Sequence, residues 1–271
     1  MDNTSAPPTT GLREAKKQRT RQQLAATALE LFLERGFDAV SVADIAAAAE
    51  VSKPTLFRYY PSKEDLLLDR FADHQDEAAR VVRERPAGQT PVEALRDHFI
   101  AALAANDPIT GLCDHPNVVV FQRLLYSTAS LKSRLAHYTE REVDLLAAVL
   151  EAEAEAEAAA GVEAEAAASV DPDAAGSGAR AQLLPARLAA LYLVTARHEL
   201  GRANWLRMDA GQSAAEAHAA AVADADTAFA MLGEGLNRTL PARARPTSSE
   251  ASTTDSAPIS TTPGAGQEVS G

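Results

Sequence analysis

The stretch VSKPTLFRYYPSKEDLL, Val51 to Leu67, decides how the chain is read. It gathers Lys53, Arg58, Tyr59, Tyr60 and Lys63 in a chain whose formal net charge is −12, and it holds two helix-start signals, at Ser52 and Ser62. Ser52 is followed by Pro54, which sits in a first helical turn without losing a hydrogen bond. Ser62 is followed by Glu64 and Asp65, acids that suit the positive end of a helix. Between them Lys53 to Tyr60 has room for two turns before Pro61 disfavours continuation. Leu56 and Tyr60, four apart, turn inward, which leaves Lys53, Thr55, Arg58 and Tyr59 facing out.

Working back, Val40-Ser41-x-x-Asp44-Ile45 is a further start, with a capping Ser, an acid three residues on and flanking apolar residues. Before it, Leu24, Ala28, Leu31 and Phe32 form one apolar stripe of a longer helix that stops at Gly36. A long helix and two short ones joined tightly at Glu50-Val51 make a helix-turn-helix pattern over 41–60. A solvated helix has no need of exposed Tyr beside Arg and Lys, whereas one lying in a major groove uses them on phosphates and base edges. The competing reading of Lys53, Arg58 and Lys63 is an ordinary solvated face.

Composition points to an all-α fold: hydrophobic residues make up 46%, much of it the helix former Ala, against only 5% aromatics. The one cysteine, Cys113, excludes an intrachain disulfide and fits a reducing compartment. No apolar run is long enough to cross a bilayer, and the first ten residues do not read as a secretory signal, so a cytoplasmic protein without membrane association is expected. Up to Lys63 the chain holds nine Lys/Arg against seven Asp/Glu, net +2, which leaves −14 on the remainder. The acidic total argues against nucleic acid. The locally basic start weakens that objection, because phosphate attraction is local once salt screens it.

Outward from the head, residues 1–17 read as a disordered arm that becomes basic, within a run from Arg13 to Arg21. Downstream, helices are expected over Pro91–Ala105, Val118–Leu125, Lys132–Leu150, 181–207 and 213–240. NDPITGLCDHPN reads as a loop or short turn. The Glu/Ala alternation from Glu151 reads as a frayed helical extension ending in a loop at VDPDAAGSG, and 241–271 as a disordered tail. No metal site is expected: the six His are scattered, and Cys113 with His115 supplies only two ligands. No nucleophile–base pairing appears and no cofactor is expected. Arg197-His198-Glu199 reads as pocket or interface polarity, since neighbours on a helix point apart.

The run TALELFLERGFDAVSVADIAAAAEVSKPTLFRYYPSKEDLLLDRF, residues 27–71, resembles the DNA-binding domain of the TetR (tetracycline-repressor-like) transcriptional regulators. The match extends near Gln18 to Ala78. The resemblance implies an N-terminal three-helix DNA-binding domain over 18–78 and a helical ligand-binding and dimerisation domain over 79–240. It implies a homodimeric repressor, not an enzyme, bound to a pseudo-palindromic double-stranded operator and released by a small-molecule effector. An activator or partner-controlled regulator is the runner-up, and a helical enzyme with a vestigial DNA-binding head the remote rival. By the resemblance Lys53, Pro54 and Thr55 approach base edges, while Ser41, Arg58, Tyr59 and Lys63 hold phosphates, with Ala43 and Phe57 beside them. Two positions depart from the family pattern. Glu50 stands where Gly is common, which predicts strain in a left-handed turn. Phe57 stands where Tyr is common, so a hydroxyl contact is replaced by apolar contact. For a pocket, Phe99, Leu103, Phe121, Leu124, Tyr138 and Trp205 are candidate walls, with His98, Arg123 and His137 as polar anchors. For a dimer, the candidates lie on the last two helices, among them Leu183, Leu184, Leu188, Leu191, Leu193, Trp205, Phe229, Met231, Leu232 and Leu236.

Overall fold

The computed structural model describes residues 9–168, 183–237 and 240. Among these the regular elements are helices: α1 Thr9–Arg35, α2 Val42–Ala48, α3 Lys53–Tyr59, α4 Lys63–Leu67, α5 Asp69–Asp73, α6 Glu77–Glu84, α7 Pro91–Ala104, a 3-10 turn Pro108–Thr110, α8 Pro116–Ser127, α9 Ala129–Ala168, α10 Leu183–Asp209 and α11 Ala214–Leu236. Ser41, Ser52 and Ser62 cap α2, α3 and α4 through their side chains, as their sequence contexts predict. Gly36 follows α1 at φ 85°.

The expected arm is corrected from residue 9 onward: α1 starts at Thr9, so 9–17 are helical and the basic run rides on the same helix as the apolar stripe. The segment has no proline, and after Gly11 it runs Leu12-Arg13-Glu14-Ala15-Lys16-Lys17, all good helix formers. The Glu/Ala run is also fully helical, to Ala168, and not frayed. Arg85, whose side chain is buried, grips it with a bidentate pair to Glu153 at 2.6 and 2.9 Å. Residues 1–8, VDPDAAGSG and the tail 241–271 lie outside the described residues.

Two apolar cores result. The head core takes Leu24, Ala28, Phe32, Phe37, Val40, Ile45, Leu56, Tyr60 and Leu66–Leu68, and is completed by Leu125 of α8 and Leu131 of α9. The body core is built where α10 packs along α9 and α11 along α7. Ala78 belongs to this second core, so the body begins with α6 and not after residue 78. The turn before α8 is pinned by a close approach. Gly111 sits at φ 72°, and a Cβ there would come within 1.9 Å of the Gly201 carbonyl oxygen on α10.

Candidate DNA-contact surface and interior cavity

α3 divides its side chains as its spacing requires. Leu56 and Tyr60 are buried, and the Tyr60 hydroxyl donates to the Arg21 carbonyl at 3.0 Å. The Arg21 guanidinium lies over the Tyr60 ring, 5.5 Å from its centroid, and pairs with Asp69 at 2.8 Å. One arginine of the basic run therefore ties α1, α3 and α5 together. On the outer side Lys53, Pro54 and Arg58 are exposed, Thr55 and Tyr59 are half-buried, and Phe57 is 49% exposed, an aromatic ring presented on a polar face. Arg58 stacks over Tyr59 at 5.4 Å. Arg13, Lys16, Lys17 and Arg19 are exposed on the first half of α1.

The α2–α3 turn is a Schellman closure: Val51 N–H reaches the Ala46 carbonyl at 2.9 Å and Glu50 N–H the Ala47 carbonyl at 3.1 Å. Glu50 adopts φ 54°, the left-handed conformation its position predicts. Ser41 is exposed, but its hydroxyl donates to the Asp44 carboxylate at 2.6 Å and accepts from the Asp44 N–H at 3.2 Å. The Ser41 hydroxyl, together with the Ser41 N–H that donates to the same carboxylate at 2.9 Å, holds the Asp44 carboxyl below its ordinary range. Ala43 is half-buried in the first turn behind it.

Lys63 has a structural role that the sequence did not suggest. Its ammonium donates to the carbonyls of Phe37 and Val40 at 2.8 and 3.2 Å and lies 4.1 Å from the Phe37 ring centroid. It clamps the α1–α2 turn with two of its three donors, which leaves one for the phosphate contact that the resemblance implies.

Head and body meet at Asp65. This buried carboxylate accepts from Arg134 at 2.7 Å, from the Tyr138 hydroxyl at 3.0 Å and from Ser62 at 2.8 Å. Burial alone would push the Asp65 carboxyl up, but the donors outweigh it and hold it low. Burial and the neighbouring Asp65 charge push the Tyr138 hydroxyl up to about 12.

Tyr138 is also a wall of an interior cavity of about 60 Å³ between α6, α7, α9 and α10. Its polar end centres on Glu77, Glu142 and Arg197. The Arg197 side chain, 9% exposed, donates to Glu142 at 2.7 Å and to Glu77 at 3.1 Å. His74 pairs with Glu77 at 3.3 Å and His198 with Glu142 at 2.9 Å. Burial pushes the Glu77 carboxyl up, but the His74 bond and the Arg197 charge prevail and lower it from 4.5 to about 2. His98 stands 3.8 Å from Glu77, too far for a hydrogen bond, and burial lowers its pKa.

Of the expected pocket residues, His98, Phe99 and Tyr138 line the cavity. The others do not. Leu103 is core, Phe121 packs on Phe71 at 6.3 Å, and Leu124 joins the head core. Arg123 pairs with Asp209 at 2.6 Å on the surface, and His137 is exposed. Trp205 packs on Tyr126 at 4.6 Å, behind the wall. Glu77, Glu142 and His74 were missed. Their sequence separation hides them, although Arg197 and His198 do supply the polarity their position suggested.

The family model described as bacterial regulatory proteins, tetR family, matches residues 24–69, which run from the α1 stripe through α4. The head of the chain is a DNA-binding domain of this family. The transcriptional regulator TcmR of Streptomyces glaucescens is 33% identical over 150 residues, 55% of this chain and 66% of that protein. The transcriptional repressor DhaR of Mycobacterium sp. strain GP1 is 34% identical over 91 residues, 32% and 45% respectively. EthR of Mycobacterium tuberculosis is 39% identical over 82 residues, 28% and 38%. The chain thus spans less than two thirds of these relatives. No described helix is long and apolar enough to cross a membrane.

Proposed function

We propose that this chain is a cytoplasmic, non-catalytic, homodimeric repressor of the TetR family that binds a pseudo-palindromic operator and is released by a small molecule entering the α6–α10 cavity. The DNA half rests on the outer face of α3, where Lys53 and Thr55 read base edges and Arg58 and Tyr59 hold phosphate. The release half rests on one observation, that Tyr138 is at once a cavity wall and a hydrogen-bond donor to Asp65 of the head. A molecule that parts the cavity walls displaces that ring and biases how α4 sits against α9. Two heads are required because one helix-turn-helix reads few base pairs. Selection of bound duplexes from a random pool tests the reading. The expected product is an inverted repeat with half-sites about one helical turn, or a multiple, apart. A pool that stays random after several rounds sinks it.

A further inference from the structure

The chemistry of the cavity specifies its occupant more narrowly than its location does. All four carboxylate oxygens at its polar end already hold a donor: those of Glu77 take His74 and Arg197, and those of Glu142 take Arg197 and His198. A cationic molecule would have to share those oxygens with the donors they already hold. An anionic one meets two carboxylates whose only guanidinium partner is already shared between them. What remains without a partner is one N–H of a guanidinium whose charge Glu77 and Glu142 already compensate, and an imidazole. The Nε–H of Arg197 is buried without an acceptor, on a side chain that is 91% buried, since 9% is exposed. The His98 imidazole, with no hydrogen bond of its own, adds one donor and one acceptor. Phe71, Phe99, Ile109, Tyr126 and Leu135 supply apolar wall to the same cavity. A buried N–H left unmet destabilises the fold, and an oxygen acceptor would relieve that.

We propose that the cavity takes a compact, uncharged aromatic molecule whose carbonyl or hydroxyl oxygen accepts from Arg197 Nε and bonds His98. This rests on the reading of the cavity as the effector site. At about 60 Å³ the space holds no more than a few waters, so the occupant is small and widens the cavity as it enters.

Titration calorimetry of the full chain with para-hydroxyacetophenone, para-acetylbenzoate and ethylbenzene tests the class. The neutral ketone is expected to bind at least about tenfold more tightly than either other probe, a difference of about 1.4 kcal/mol. The ketone is also expected to shift the indole N–H signal of Trp205, the single tryptophan, whose ring packs on the wall residue Tyr126. His98→Leu removes no internal hydrogen bond and is expected to weaken ketone binding about tenfold, with His98→Gln restoring most of it. Equal or tighter binding of the benzoate, absence of heat with the ketone, or a ketone that binds without moving the Trp205 signal overturns the proposal. Operator binding by the same untreated samples is read in parallel. Its absence overturns the regulator reading, whereas failure of the ketone alone leaves that reading standing.

Discussion

Lys63 and Arg58 carry the same charge five residues apart, and the fold gives them different work. Lys63→Ala strands the Phe37 and Val40 carbonyls, so it should cost about 1–3 kcal/mol of stability and leave the salt dependence of operator binding nearly unchanged. Arg58→Ala should do the reverse. Thermal midpoint is kept, and the magnitude of the log–log salt slope falls by about one. Denaturation curves and titrations at several salt concentrations separate the two, and a lower slope for Lys63→Ala would put its third donor on phosphate. Glu50 is legible in the same local terms. It occupies φ 54°, so Glu50→Gly should relieve roughly 1 kcal/mol of strain, less the entropy a glycine adds to the unfolded chain, and raise the urea midpoint. An unchanged or lower midpoint would show that the turn carries no strain. Glu77 makes a pH prediction. Its folded pKa is depressed, so its stabilisation is full above about 4.5 and is lost as pH falls towards about 2. That window should remove roughly 3 kcal/mol in the wild type and markedly less in Glu77→Gln. Parallel acid-unfolding curves for the two proteins would contradict it.

Between elements, the decisive contacts are those between α4 and α9. Helix starts were legible because a capping Ser and the acid or proline after it act within one turn of the chain. Ser41, Ser52 and Ser62 needed no knowledge of the rest of the fold. The inward face of α3 was equally local, since Leu56 and Tyr60 share one side of any helix. What could not be read is which long side chains spend their charge inside. Arg21 finds Asp69, Lys63 finds Phe37 and Arg134 finds Asp65 only after the helices pack. The cavity is the extreme case. Glu77, Glu142 and Arg197 lie on three helices far apart in sequence, and none carries a local signal of its neighbours. Apolar spacing did mark Phe99, but it could not separate cavity wall from sealed core, and Leu103 fell on the wrong side of that division. The same α4–α9 contacts yield a test of coupling. Tyr138→Phe keeps the ring against the cavity and removes only the bond to Asp65. It should retain operator binding within a few-fold, while an effector that releases the wild type shifts the variant's operator affinity less, by roughly 1 kcal/mol of coupling. An effector response identical to wild type would mean that the signal does not pass through this hydroxyl.

At the scale of the whole molecule, the apolar residues left outside the two cores mark the face on which the proposed dimer would form. On α10, Leu184, Leu188 and Leu191 are 65%, 38% and 44% exposed at positions i, i+4 and i+7, one continuous stripe, and Met231 of α11 is 71% exposed. Leu193, Trp205 and Phe229, candidates on sequence alone, are buried within the protomer and are not available to a partner. Monomeric proteins rarely leave such a stripe in water, and a stable dimer needs roughly 1,600 Å² of total buried surface, which two long helices from each copy can supply. A self-complementary interface brings each stripe against its own copy, so a charge placed there meets its like. Leu188→Glu combined with Leu191→Glu should therefore give a folded monomer: unchanged helical circular dichroism, half the wild-type mass by light scattering at micromolar concentration, and both cores intact. With one head per molecule, operator affinity should fall by about 10²-fold or more, because the second head no longer binds at the effective concentration set by the first. Binding to random duplex should fall much less, since that depends on the charges of each head alone. A double variant that still scatters as a dimer would place the interface elsewhere. One that becomes monomeric yet keeps full operator affinity would show that a single head suffices.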